Sequence, residues 1–248
     1  MDFNKIDLLG VGSVEKYNDF IERISYQQAE LQLGDGFFTP DSRVYEKVNQ
    51  DNSFKPFYGD TVVFDLDSRI KNKIAGIIDR LYKIAPECFC EHIKEDTIHM
   101  TLHDLSASEN LESIASEVFG NEIELLRVLK ENPQQLNSIK MKTNFIINMV
   151  STSLVLTLIP ADEAEWNKLQ ELYELINKVK VCQYPFLTPH ITLAYFNYNG
   201  FDEKSADNLK TAVHELNKNH FDITLRTNRL YYQKFISMND YIQVFNFA

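Results

Sequence analysis

The sequence predicts an α+β fold made of two facing copies of one strand-helix-strand unit, with a helical extension in front of them. Three observations lead there. The pattern Thr-x-His-x-Thr-Leu occurs twice, as TIHMTL at 97–102 and TPHITL at 188–193. With six histidines in 248 residues, a His-x-Thr-apolar pattern is expected about 0.1 times by chance, so two copies point to a duplicated feature. Each copy also follows a predicted strand and then a predicted helix, which is a repeat in layout even though overall identity between the units is weak. Alternate side chains of a strand share a face. His99 and Thr101 therefore share one face, as do His190 and Thr192, and two facing units bring both pairs to a central cleft.

The elements follow from local pattern. Val14, Tyr17, Phe20, Ile24 and Leu31 fall at helical spacing over Ser13 to Leu33, which Gly34-Asp35-Gly36 closes. Residues 37 to 60 are turn-rich and lead into the β-branched run TVVFDLD at 61–67, a strand. Ile70 to Ile84 reads as a helix ending before Pro86, and the first motif strand spans about 97 to 105. Residues 106 to 138 are acidic and helix-prone, with Leu111, Ile114, Val118, Leu125, Leu126 and Leu129 as the expected buried stripe, and Pro133 ends that unit.

IKMKTNFIINMV and SLVLTLIP flank Ser151 and Thr152 as a β-hairpin. Asp162, with Glu165 three residues on, is the N-cap of a helix to about Lys180. The second motif strand covers about 189 to 196. A helix at 202–219 and strands at 221–235 and 240–247 finish the chain. The expected division is an N-terminal helical extension, 1–55, packed on a main domain, 56–248, that carries the helical insertion at about 106–138.

Composition narrows the function. Hydrophobic residues make up 44% and charged residues 25%, close to the average of folded globular proteins. A net charge of -11 opposes capture of long duplex nucleic acid, which depends on Lys and Arg neutralising many phosphates. A small phosphate-bearing ligand needs only a few local donors. Cys88, Cys90 and Cys182 form no disulfide framework and read as reduced thiols. Asp2, Lys5 and Asp7 break any leader-like apolar run, and no stretch approaches 18 apolar residues, so the expectation is a cytoplasmic protein, a monomer, that does not engage a membrane.

With its paired motifs and duplicated layout, the chain resembles the two-histidine phosphoesterase superfamily, which includes LigT-like RNA ligases and cyclic phosphodiesterases. The resemblance covers about residues 56 to 248. It implies two pseudo-symmetric lobes, each an antiparallel β-sheet with helices outside, flanking a groove that holds both motifs. It also implies that His99 and His190 are the catalytic pair and that Thr101 and Thr192 bind substrate. Residues 1–55 and the 106–138 insertion lie outside the minimal pattern, so the substrate choice of familiar members does not carry over.

The chemistry agrees with that implication. Opening a cyclic phosphodiester requires a base for the attacking oxygen and an acid for the leaving oxygen, and histidine serves as either near neutral pH. Threonine hydroxyls donate to the non-bridging oxygens, where charge accumulates. The expected activity is metal-independent hydrolysis, without cofactor, of a 2′,3′-cyclic phosphate or 2′,5′-linked phosphodiester of a nucleotide or short RNA. The alternatives are reversible RNA end ligation and nucleotide binding without turnover.

Strict alternation extends each motif face. His103 continues that of His99 and Thr101, and Phe196 that of His190 and Thr192, so both are candidate substrate contacts, Phe196 by stacking on a base. His-x-Thr-x-His also spells a metal pair, but no Asp, Glu or Cys clusters nearby at ligand spacing, so no metal site is expected. Met100, Leu102, Ile191, Leu193 and Tyr195 fall on the core face. Tyr184 and Phe186 in YPFLTPH, and Tyr58 in KPFYGD, are loop aromatics that either overhang the groove as substrate contacts or pack against the strand ends. His92, His214 and His220 read as surface residues.

Overall fold

In the computed structural model the described residues are 15–26, 31–133, 137–182 and 186–247. The strands are β1 (Tyr58–Asp65), β2 (His99–Ser108), β3 (Ser138–Met149), β4 (Ser153–Pro160), β5 (His190–Tyr195), β6 (Asp222–Arg226), β7 (Leu230–Ser237) and β8 (Asp240–Asn246). Among the described residues five α-helices accompany them: α1 (Tyr17–Tyr26), α2 (Ser68–Ile84), α3 (Leu111–Glu131), α4 (Glu163–Asn177) and α5 (Glu203–Leu216).

The strands form one antiparallel sheet in the order β6-β3-β4-β5-β2-β1-β7-β8. Its left and right halves are equivalent. β1-α2-β2 repeats as β4-α4-β5, each pair of strands antiparallel and adjacent, with two further strands outside each pair. The two lobes expected from sequence, each of four strands, meet where the motif strands β2 and β5 pair through Met100 and Ile191. The cleft therefore runs along the seam of a continuous sheet.

The core lies on the helix side. Met100, Leu102, Ile191 and Leu193 are at most 1% exposed and pack with Ile74, Ile78 and Leu81 of α2, Trp166 and Leu169 of α4 and Leu209 of α5. Helix starts follow their capping residues. The side chains of Asp67, Asp162 and Asp202 accept from backbone N–H groups of the first turn of α2, α4 and α5, satisfying donors that have no helical partner. The Glu165 carboxylate accepts from the Lys140 N–H of β3 at 2.8 Å, tying α4 to the sheet.

Three expectations are corrected. The buried stripe of α3 is Ile114, Asn121, Leu125 and Val128, while Leu111 and Leu126 are about half exposed. Asn121 is drawn inward because its amide donates to Asp60 of β1 and Ser106 of β2. The run at 221–235 is not one strand. A single turn at Thr227–Arg229 breaks it and sends β6 to one lobe and β7 to the other. That turn is pinned to both lobes, since Thr227 exchanges hydrogen bonds with the Asn137 backbone and Arg229 donates to the carbonyls of Asp65 and Leu66. The N-terminal helix is shorter than Ser13 to Leu33 in its described part, and residues 1–14 and 27–30 lie outside the described residues.

α1 packs on α4. Phe20 stacks on Trp166 with centroids 4.1 Å apart, and the Trp166 indole N–H donates to the Glu15 carbonyl. Residues 38–57 then run to the opposite side of the sheet, paired with the second lobe through Phe38 and Phe201. Gly200 makes that approach possible: its φ is +71°, and a Cβ there would lie 2.1 Å from the Phe38 carbonyl oxygen.

Candidate active site

The motif residues occupy equivalent places in the two lobes. Across the strands His99 faces Asp65 and Thr101 faces Val63 in one lobe, while His190 faces Thr157 and Thr192 faces Val155 in the other. All four motif side chains are half-buried, on the face opposite the helices. Neither threonine hydroxyl has a hydrogen-bond partner among the described residues, so both are free to serve a ligand.

Each histidine is held in the same way. His99 Nδ1 lies 2.6 Å from the Thr97 carbonyl oxygen, and His190 Nδ1 lies 2.7 Å from that of Thr188. A carbonyl only accepts, so Nδ1 carries the hydrogen and donates it. In the neutral ring Nε2 is then the bare nitrogen, able to take a proton. The first Thr of each Thr-x-His-x-Thr motif thus anchors the histidine through its backbone, while the hydroxyl of the second is unpartnered among the described residues.

Burial drives the His99 pKa down to about 4, opposed by the Thr97 carbonyl and Asp104 and assisted by Lys71 and His190. His99 is therefore neutral near pH 7. A charge on His190 is felt at His99, and the Tyr241 ring packs edge-on against His99 at 4.9 Å.

A second pair of equivalent contacts braces the loops that precede the histidines. In the first lobe the Lys71 ammonium donates to the Asp96 carbonyl at 2.5 Å and pairs with Asp65 at 2.8 Å. In the second, Arg23 of α1 donates to the Leu187 carbonyl and the Thr188 hydroxyl, both at 2.9 Å, and pairs with Glu15 through two bonds of 2.7 and 2.8 Å. Asp96 and Leu187 each stand three residues before their histidine. Each motif loop is thus held by a cation that a carboxylate orients, and in the second lobe the N-terminal extension supplies both.

Past the motifs the alternation breaks. The β1–β2 register slips between the Thr101 and His103 pairings, and the β4–β5 register slips between the Thr192 and Ala194 pairings, so each motif strand bulges just after its Leu. Two expected contacts move to the core as a result. His103 is 1% exposed and bonds to Asn177 at 2.7 Å and to the Asp104 carbonyl at 2.8 Å, which also dissolves the His-x-Thr-x-His metal pair. Phe196 is fully buried against Phe38, Phe89 and Phe201.

The residues that the bulges turn toward the cleft are Asp104 and Tyr195. Asp104 is exposed. Tyr195, expected in the main core, instead meets Phe54 edge-on at 5.7 Å and donates its hydroxyl to Met238 Sδ. Tyr58 alternates with Asp60 and Val62, on the face that α3 covers, and Phe57 beside it is the aromatic that packs on the cleft side, against Phe235. Tyr184 lies outside the described residues. Phe186 lies under the Arg23 guanidinium at 5.4 Å.

Residues 38–57 add Lys47, whose ammonium lies over Phe57 and Tyr195. Lys47, Asp104, Arg23 and Tyr241 carried no motif signal in the sequence. Surface cavities of about 520 Å³, lined by Lys71, Glu95, Asp96 and Arg229 among others, and about 390 Å³, between α4 and Thr227, contain no motif residue. The site is recognised by converging polar groups rather than by depth.

No family model and no curated protein matches this chain. Among solved structures, the conserved protein of unknown function ATU0111 from Agrobacterium tumefaciens str. C58 superposes with a TM-score of 0.65 at 14% identity, covering 85% of this chain and 94% of that one. The two share a fold almost end to end. E. coli LigT in its apo form is similar with a TM-score of 0.42 at 16% identity over 77% of this chain and 96% of its own. A structure of E. coli LigT complexed with 3'-AMP gives 0.43 at 17% identity over 77% and 97%.

Proposed function

We propose that this chain is a two-histidine phosphoesterase that opens a 2′,3′-cyclic phosphate, or hydrolyses a 2′,5′-linked phosphodiester, of a nucleotide or short RNA. The observation that carries this reading is the matched anchoring of His99 and His190 by the carbonyls of Thr97 and Thr188 on adjacent central strands. A half-buried core histidine has no reason to recur with the same tautomer, the same neighbouring free threonine and the same braced loop.

His99, neutral and bare at Nε2, takes a proton from water. The water oxygen bonds to phosphorus as the ester bond on the opposite side breaks, and His190 gives a proton to the departing oxygen. Thr101 and Thr192 donate to the non-bridging oxygens, with most effect in the transition state. Two histidines supply both proton transfers, so the scheme calls on no metal ion. The same two groups would join RNA ends if an RNA hydroxyl replaced water as the nucleophile on a cyclic phosphate, with one ribose oxygen leaving, but the acidic balance of the chain disfavours a long RNA strand.

Phosphorus NMR on a panel of 2′,3′-cyclic nucleotides and short 2′,5′-linked oligonucleotides, in excess chelator, tests the reading. Conversion to a single phosphomonoester isomer is expected. Ligand binding without any conversion would favour a nucleotide-binding module instead.

A further inference from the structure

The segment between α1 and β1 brings a cation to the cleft that the two-histidine scheme does not use. The Lys47 ammonium lies 5.1 Å from the centroid of the Phe57 ring and 5.7 Å from that of Tyr195. Its side chain is half-buried between a cluster of Val44, Val48 and Cys90 and a cluster of Phe57, Phe235 and Met238, which meet at Tyr195 and Phe54. Among the described residues it has no carboxylate within ion-pair distance and no hydrogen-bond acceptor. Other cations near the site are paired: Lys71 with Asp65, Arg23 with Glu15, Arg229 with Asp65, Lys234 with Glu122.

An ammonium with three unused donors in a partly dry site is costly unless something completes it. Two aromatic faces return only part of the lost hydration. Burial lowers the Lys47 pKa, with Arg43 adding to the change, while the carboxylates of Asp104, Glu46 and Asp41 act against it from beyond ion-pair distance. If packing were the role, a Met or Leu would fill the same space with no charge to desolvate. Lysine there is explained by an anion that arrives with the ligand, since its compact charge suits phosphate.

We propose that Lys47 binds a phosphate group of the substrate other than the one held between His99 and His190. The assignment rests on the phosphoesterase reading for the first phosphate. Tyr195, under Lys47, lies three residues beyond Thr192 along β5, a separation of about 10 Å at the rise of a strand, less the shortening of the bulge. A nucleoside carrying a cyclic phosphate at its 2′ and 3′ oxygens and a second phosphate at 5′ spans a distance of that order. The substrate class is thus a nucleotide or RNA end with a phosphate on each side of one ribose.

The test compares a nucleoside 2′,3′-cyclic phosphate with and without a 5′-phosphate, using the intact protein and its Lys47→Met and Lys47→Gln variants, with unfolding midpoints as the control for folding. Wild type should favour the 5′-phosphorylated compound by about tenfold or more in KM, as expected of a charge-assisted contact, and both variants should lose that preference while unfolding no earlier. An equal preference in wild type and variants, or none in wild type, overturns the proposal. Calorimetric binding of the same two compounds separates the two readings. A Lys47-dependent preference in affinity without turnover would sustain this site while the phosphoesterase reading fails. Turnover with no such preference would do the reverse.

Discussion

Arg23 donates to the Thr188 hydroxyl at 2.9 Å across 165 positions of sequence, and the carbonyl of the same threonine receives the Nδ1 hydrogen of His190. The N-terminal helix thereby reaches His190 through one intermediate residue. Its counterpart in the first lobe, Lys71 on Asp96, acts within the repeated unit itself.

Arg23 is accordingly a positioning residue. In Arg23→Met the loop of His190 loses two hydrogen-bonded anchors, at the Leu187 carbonyl and the Thr188 hydroxyl, and Glu15 loses its partner, so kcat should fall by about 10- to 100-fold, a loss of the size that displacement of a reacting group brings. KM should change little, because Arg23 touches no substrate. Arg23→Lys should restore part of kcat. Steady-state kinetics with unfolding controls decide the matter, and an unchanged kcat in a folded Arg23→Met would remove the brace from the account.

His99 should make stability depend on pH. Its folded pKa of about 4 lies below the unfolded value of about 6.5. Between those values the unfolded chain binds the proton that the folded protein refuses. Stability is therefore full above about pH 6.5 and declines as pH falls toward 4, by up to ~3 kcal/mol from this group. Urea unfolding at pH 7 and pH 4.5 should show a larger loss for wild type than for His99→Gln. A His99 ring titrating by NMR at 6.5 or above would contradict the assignment of this residue as the neutral partner.

The bulged strands predict which neighbours of the motifs are structural. Phe196→Ala should cost about 3–5 kcal/mol as a core truncation, and His103→Leu about 1–3 kcal/mol through the unpaired Asn177 and Asp104 carbonyl it leaves. Turnover should survive both at permissive temperature. A stable His103→Leu protein with activity reduced a hundredfold would return His103 to the site.

Thiol reactivity should divide by burial. Burial raises Cys88 and Cys90 to about 12, with Glu87 and Glu91 adding to the effect, so neither forms thiolate at pH 8. Cys182 is only half-buried. Iodoacetamide on the native protein should label Cys182 alone, as read by peptide mass spectrometry, and early labelling of Cys90 would show that the packing of Val44 and Val48 against it opens readily.

The parts of the fold visible in sequence are those set by local repetition. Ile70, Ile74, Ile78 and Leu81 recur at helical spacing and are all buried in α2, and Met100 and Leu102 alternate with His99 and Thr101 as expected of a strand. The motif pair itself is local too. What escaped sequence reading is decided by partners distant in the chain. The bulge beyond Leu102 leaves the His103 carbonyl to the Thr61 hydroxyl, 42 residues earlier, and nothing within TIHMTLHDL announces it. Once the strand slips, His103 exchanges faces with Asp104, and the same slip exchanges Tyr195 with Phe196. Lys47 and Arg23 belong to a segment whose place over the sheet depends on Phe38 meeting Phe201 and Phe20 meeting Trp166, contacts that no periodicity encodes.

The most direct test of paired catalysis is the initial rate on a 2′,3′-cyclic nucleotide, in excess chelator, of wild type, His99→Ala, His190→Ala and the double variant, all verified as folded. Each single variant should lose about 10²- to 10⁴-fold, and the double variant should be no slower than the worse single one, because the two histidines serve one displacement. A single variant near the wild-type rate, or losses that multiply in the double variant, would contradict it.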